Sequence, residues 1–355
     1  LKATRDAQDI SNQLGTTVST PGVNVNAQST DPASRIVALA ADIQQAFGEF
    51  GSERSFYPAA NRIEPALMNA LNFANLAGTL ASQNQMSGVK TSLQRAIDYL
   101  EMADVLMVYG DVANPIDYTQ FLVRQHYVDF LGREPDEEGR AYWTHKITDC
   151  GADASCIEGR RIDVSAAYFL SIEFKETGYL VYRLYRTSFG RKVLFQEFIN
   201  DTQEIEKGLI VGQQGWQDVL ATNKKAFFHS WVERPDFRSR YDGLRSDQFV
   251  DVLFAEMGLV PAPSERDALV ADLDAGVSRA DVLAKIVENE QFTSQERNPA
   301  FVLMQYFGYL RRDPDAGGFN FWLNKLNSFG GDFHRAEMVK AFLSSAEYKD
   351  RFTQW

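Results

Sequence analysis

Apolar side chains recur every three or four residues along most of the chain, the spacing that gathers them on one face of an α-helix. The first stripe is Ile36, Leu39, Ala40, Ile43, Phe47 and Phe50. Asp31 and Pro32 open it: an acidic cap, then proline in the first turn, where its missing N–H costs nothing. Gly51 to Pro58 reads as a connector. Leu67, Leu71, Ala74 and Leu80 predict a second helix over residues 61–84, broken by Ser87 and Gly88. A third, over 89–109, turns Val89, Leu93, Ala96, Ile97, Leu100 and Met107 inward. Three amphipathic helices in succession predict a helical bundle over residues 31–112, bounded by Gly110–Pro115. Residues 1–30 carry no stripe, and nothing larger than Val occurs between Thr16 and Asn26. They read either as a flexible lead-in or as an extended arm that lays Val18, Val23 and Val25 on a neighbouring subunit.

Beyond residue 118 the pattern repeats itself. Phe121–Arg133 (FLVRQHYVDFLGR) returns as Tyr179–Arg191 (YLVYRLYRTSFGR), and Leu131–Ile147 (LGREPDEEGRAYWTHKI) as Leu310–Leu326 (LRRDPDAGGFNFWLNKL). Pro135, Asp136, Gly139, Trp143 and Lys146 thus answer Pro314, Asp315, Gly318, Trp322 and Lys325. A closing signature recurs at Ser171–Phe174, Glu233–Phe237, Glu288–Phe292 and Ser345–Tyr348. These marks define four units over 118–352, at 119–175, 177–241, 247–294 and 299–352, the third the most divergent. Each reads as helix, turn, helix, loop, helix. In the first, Val123, Tyr127, Phe130 and Leu131 make a stripe, Pro135 ends the helix and Asp136 caps the next. Trp143 and Ile147 face inward, and Ile162, Ala166, Phe169 and Leu170 line the closing helix. Rings at fixed places belong to a core, where each buries roughly 150–250 Å². The expected fold class is all-α: an N-terminal bundle, then helical repeat units, preceded by the extended arm.

The first unit's run FLVRQHYVDFLGREPDEEGRAYW, closed by Ser171–Phe174 and echoed in the last unit, resembles a bacterial domain family of unknown function. That family is met in surface-layer proteins, RTX-type exoproteins and large adhesins, and its helical unit is similar to the linker domain of phycobilisome rods. The resemblance covers residues 118–352, strongest in the first and last units. It implies export and a role in assembly or adhesion, and it carries no catalytic residues across.

Charge and rare residues narrow the chemistry. Against 36 Lys and Arg stand 48 Asp and Glu, a net charge of −12, which argues against a nucleic-acid face and against docking on anionic lipid. No run approaches the roughly 18 apolar residues of a membrane span. The chain starts at Leu1 rather than Met, as a processed product or part of something longer would. Both cysteines lie in one short segment, Cys150 and Cys156. Their spacing suits a disulfide across a tight loop, worth about 2 kcal/mol by loop entropy, with two free thiols as the alternative. A disulfide implies an oxidising place: periplasm, cell surface or medium.

Asp313, Asp315 and Gly318 invite a calcium-loop reading, as do Glu134, Asp136, Glu138 and Gly139. Gly317 and Asn324 stand where the last unit needs oxygen ligands, and His145 replaces the bidentate Glu in the first. A turn with a helix cap is the simpler account, and no cofactor is expected. The four His, at 126, 145, 229 and 334, are too scattered for a zinc hydrolase. Neither a GxSxG elbow nor a complete phosphate loop occurs, so an enzyme is not expected. Trp216 and Trp231, off the repeat pattern, are candidate glycan contacts, and Trp355 is a candidate contact with a neighbour. The expected role is an exported structural protein whose copies assemble into a filament or surface layer. The alternative is an adhesion or carbohydrate-binding module of the cell surface.

Overall fold

The computed structural model describes residues 32–57, 59–83, 85–110 and 114–353. Among them regular structure is helical throughout, without a strand. They fall into two compact units, one reaching to Gln125 and including the chain from Lys349 onward, the other His126–Tyr348. The expected arm over 1–30, with Val18, Val23 and Val25, and the terminal Trp355 lie outside the described residues.

The first unit opens with α1 (Pro32–Glu53), a 3₁₀ turn (Arg54–Phe56), α2 (Ala60–Ser82) and α3 (Met86–Tyr109). Helix α1 runs through Gly51, where the sequence reads as a connector. Its Ile36, Leu39, Ile43 and Phe50 are buried with Ile63, Leu67 and a run of alanines on α2 (Ala66, Ala70, Ala74, Ala77). On α3 the buried positions Val89, Leu93, Ala96, Leu100 and Ala103 alternate steps of four and three, the period of a coiled-coil seam. Small side chains let two helices approach closely, so the alanines take the seam. Leu71 and Leu80, expected inside, pack at its edge.

Beyond α3, Asn114 caps a 3₁₀ turn (Pro115–Asp117) by accepting the Ile116 N–H, and its amide donates to the Lys349 carbonyl at 3.0 Å. Phe121 meets Phe352 edge-on, and Arg124 pairs with Glu101. The end of the chain is therefore part of the first unit. The units divide inside the helix that carries Phe121, α4 (Thr119–Leu131), beyond the Gly110–Pro115 connector.

From α4 onward the helices come in sets of four. The first set is α4, α5 (Glu137–Thr148), α6 (Ala154–Leu170) and α7 (Ile172–Glu176). The second is α8 (Gly178–Phe189), α9 (Phe195–Glu206), α10 (Trp216–Val232) and α11 (Pro235–Tyr241). The third is α12 (Ser246–Glu256), α13 (Pro263–Asp274), α14 (Arg279–Val287) and α15 (Glu290–Gln295). The fourth is α16 (Arg297–Gln305), continued by a wider π turn (Tyr306–Leu310), then α17 (Ala316–Ser328), α18 (Met338–Leu343) and α19 (Ala346–Asp350). The short fourth helix is one more than the sequence pattern predicts. Ser171, Asn289 and Ser345 cap it by accepting the N–H three residues on. Phe174, Phe237, Phe292 and Tyr348 bury its ring in each set.

Within the second compact unit, α4 crosses the fourth set where Gly308 leaves room for the Phe130 ring; a Cβ at Gly308 would overlap it. Below that crossing His126 Nε2 lies 2.5 Å from Ser165 Oγ, which also bonds the Tyr309 hydroxyl. All three residues are fully buried, a satisfied polar thread through an aromatic core. Arg183, buried on α8, donates to the Val287 carbonyl, Glu288 and Thr293, each at 2.9 Å, and so ties the second set to the third.

Candidate functional site

The repeated residues assemble a clamp, in the same form in the first and fourth sets. Arg133, just past α4, forks onto Glu173 of α7 at 2.7 and 2.8 Å, donates to the Glu134 carbonyl and lies over the Tyr127 ring at 5.0 Å. Arg312 likewise forks onto Glu347 of α19 at 2.5 and 3.0 Å, donates to the Asp313 carbonyl and lies over Tyr306 at 5.5 Å. Asp136 and Asp315 cap the following helices by accepting the Gly139 and Gly318 N–H groups at 2.8 and 2.7 Å. The Tyr127 hydroxyl sits over Gly139 and the Tyr306 hydroxyl over Gly318; a Cβ at either glycine would clash with it. Burial, and next the carboxylate of Asp136 or Asp315, push both phenols above their ordinary pKa. The Pro-Asp-x-x-Gly turn is thus a joint that locks the first, second and fourth helices of a set together.

Two of the calcium candidates, Asp136 and Asp315, are absorbed in that joint. Asp136 and Asp315 act as caps, and Asp313 accepts the Phe195 N–H at 2.8 Å. Glu134 contributes its carbonyl to Arg133. Among the described residues no group of three or more His, Cys, Asp or Glu side chains converges.

Cys150 and Cys156 are joined, with Cα atoms 5.6 Å apart, across the junction of α5 and α6. Asp153 caps α6 inside the loop by accepting the Ser155 and Cys156 N–H groups. The matching junction of the fourth set has no such bond; there the Gly331 N–H returns to the Leu326 carbonyl and Asp332 caps Arg335.

The aromatic candidates are placed differently from expectation. Trp231 is buried, at 0% exposure, and this overturns its reading as a glycan contact. Its indole donates to Ser188 Oγ at 3.0 Å, Tyr185 meets it edge-on, and Arg234, forked onto Asp201, covers its face at 4.2 Å. The ring is off the repeat pattern because the second set builds its own joint around it. Trp216, at the start of α10, is half-buried. Leu170, expected to line the closing helix, is exposed at its last position.

The rings that do reach solvent lie on the pattern itself. Tyr142 is 54% exposed and stands edge-on to half-buried Trp143, with Lys146 over its face. Phe321 is 57% exposed and stands edge-on to Trp322, with Lys325 over the indole. Adjacent residues on a helix point about 100° apart, so one ring of each pair turns in and the other out. Trp143 packs against the buried Tyr168 ring, centroids 5.8 Å apart, so the tryptophan is the ring turned inside. The repeated Tyr-Trp and Phe-Trp pairs were the signal, legible once each pair is split between core and surface.

Residues 284–352 match the model of a domain of unknown function (DUF4214). The DUF4214 segment runs from within α14 to just past α19 and so contains the whole clamp of the fourth set, Tyr306, Arg312, Asp315, Gly318 and Glu347. No curated protein and no solved structure matches the chain.

Proposed function

We propose that this protein is an exported structural subunit whose copies assemble with one another into an extracellular filament or surface layer. The observation that carries this reading is the use to which the repeat's polar signature is put. Arg133, Glu173, Asp136 and their counterparts Arg312, Glu347 and Asp315 are spent on one another as joints. The four sets leave apolar side chains outside, among them Tyr142, Phe321, Ile172, Leu194 and Val260. Modules with rigid joints and apolar outer positions suit contact between chains. The Cys150–Cys156 disulfide favours an oxidising destination. Electron microscopy with light scattering of the purified chain tests the reading. Ordered polymers are expected, lost when residues 1–30 are deleted; a monodisperse monomer at every concentration refutes it.

A second reading, an adhesion module for saccharides, draws on the two exposed ring pairs at Tyr142 and Phe321. It predicts saccharide affinity that a Tyr142→Ser, Phe321→Ser double variant removes. A glycan array without a hit retires it.

A further inference from the structure

Within the second compact unit the first set pairs with the fourth and the second with the third, and each pair brings counterpart helices together. The third helices pack on one another, α6 on α18 and α10 on α14. The first helices do the same. Helix α8 packs on α12. Phe130, at the end of α4, meets Tyr309, its own counterpart in the fourth set, with ring centroids 5.2 Å apart. Like on like is the geometry of a twofold pair, in which each member offers the same face.

The third helices also carry matched charges. In the first pair Lys340 lies 3.0 Å from Glu158, and His334, in the turn before α18, lies 3.0 Å from Asp163. In the second pair Lys224 lies 3.4 Å from Glu288, and His229 lies 3.8 Å from Asp281. Both pairs therefore run antiparallel, and in each a lysine and a histidine on one member face a glutamate and an aspartate on the other. The fourth and second sets are the basic members, the first and third the acidic ones. Buried Arg183 of the second set adds to the sorting by bonding Glu288 at 2.9 Å. Lys224 is shared with Glu176 at 2.9 Å, and Asp163 with Arg160 at 3.9 Å. Most of these side chains are half-exposed. An ion pair in such a place contributes little to stability and more to the choice of partner.

We infer that this face is a pairing surface whose partner is another set of the same kind and opposite charge, in the same chain or in a second one. The chain is then two such pairs strung together. The DUF4214 segment holds the basic member of the first pair, with Tyr309, His334 and Lys340. The peptide links between sets raise the effective concentration of the partners without making the contact.

The test uses the full chain with a protease site inserted in the Asp242–Arg245 link between α11 and α12, which keeps the wild-type circular dichroism before cutting. Cutting there divides the first and second sets from the third and fourth. Cut chains are unfolded in urea, mixed and refolded, and the complexes are counted by native mass spectrometry. The halves are expected to recombine. A second chain carries the charges of the first pair exchanged, with Glu158→Lys, Asp163→Lys, Lys340→Glu and His334→Glu. Mixed with the first, its halves should return to one another. Parental complexes should outnumber crossed ones by about tenfold, because two attractive contacts turn repulsive in every crossed complex. Halves that fail to recombine overturn the pairing surface. Parental and crossed complexes in equal number overturn the choice of partner by charge. Self-assembly of intact chains, which this inference does not require, stands or falls separately.

Discussion

Gly317 and Gly318 are neighbours in the first turn of α17, yet only the second has a tyrosine hydroxyl over its Cα. Gly318→Ala drives a methyl into Tyr306 and should cost about 1–3 kcal/mol, the usual range for overpacking. Gly317→Ala meets only Asp315 Oδ1 at 3.3 Å and should be neutral, or gain up to about 1 kcal/mol of helix propensity. Urea unfolding of the two variants checks this; equal losses would remove the joint from the account. Glu206 offers a second residue-level test. Withdrawal from water, and next the Glu173 carboxylate, push its carboxyl well above the ordinary range, against the Thr177 hydroxyl and Arg133. The native state therefore binds this proton more tightly than the unfolded chain does, and stability falls as pH rises beyond the ordinary carboxyl range. Glu206→Gln should be more stable than wild type at pH 7.5, with the gap closing toward pH 4.5. Parallel stability curves would sink the idea. Neither feature is legible in the sequence: a glycine in a turn does not announce what lies above it, and Glu206 differs from its exposed neighbours only through contacts with α7 and Thr177.

Elements are more legible than residues. The three bundle stripes and the repeat helices follow from apolar period and caps, because an amphipathic face needs only local sequence to be recognised. The five-residue α7 and α19 do not, since one turn gains too little from its own hydrogen bonds to persist alone. A serine cap, an Arg–Glu fork and a buried ring hold each in place. The Cys150–Cys156 bond pins an element junction in the same sense. Reduction, or the Cys150→Ser, Cys156→Ser double variant, should lower stability by about 2 kcal/mol. In hydrogen exchange the loss should concentrate at the ends of α5 and α6, while the junction of α17 and α18, which lacks a disulfide, keeps its protection. Protection lost equally at both junctions would show that the bond stabilises the unit globally instead.

At the scale of the whole molecule, the fourfold period is visible in the sequence because its signature residues are those engaged in the joints. The division into compact units is not, because it turns on a return of the chain that no period encodes. Asn114 reaches the Lys349 carbonyl, Lys349 pairs with Asp117 at 3.3 Å, and Phe352 packs edge-on against Phe121. Those contacts make the last residues a part of the bundle unit, although the repeat signature runs up to Tyr348. Phe352→Ala removes a buried ring from that set and should cost about 3–5 kcal/mol, the range for truncating a core phenylalanine. Because the loss belongs to the first unit, amides of α3 and of the first turns of α4 should exchange faster, while those of α8 to α12 hold their protection. Protection lost first in α8 to α12 would mean that the terminal segment serves the repeats, and that the bundle stands without it.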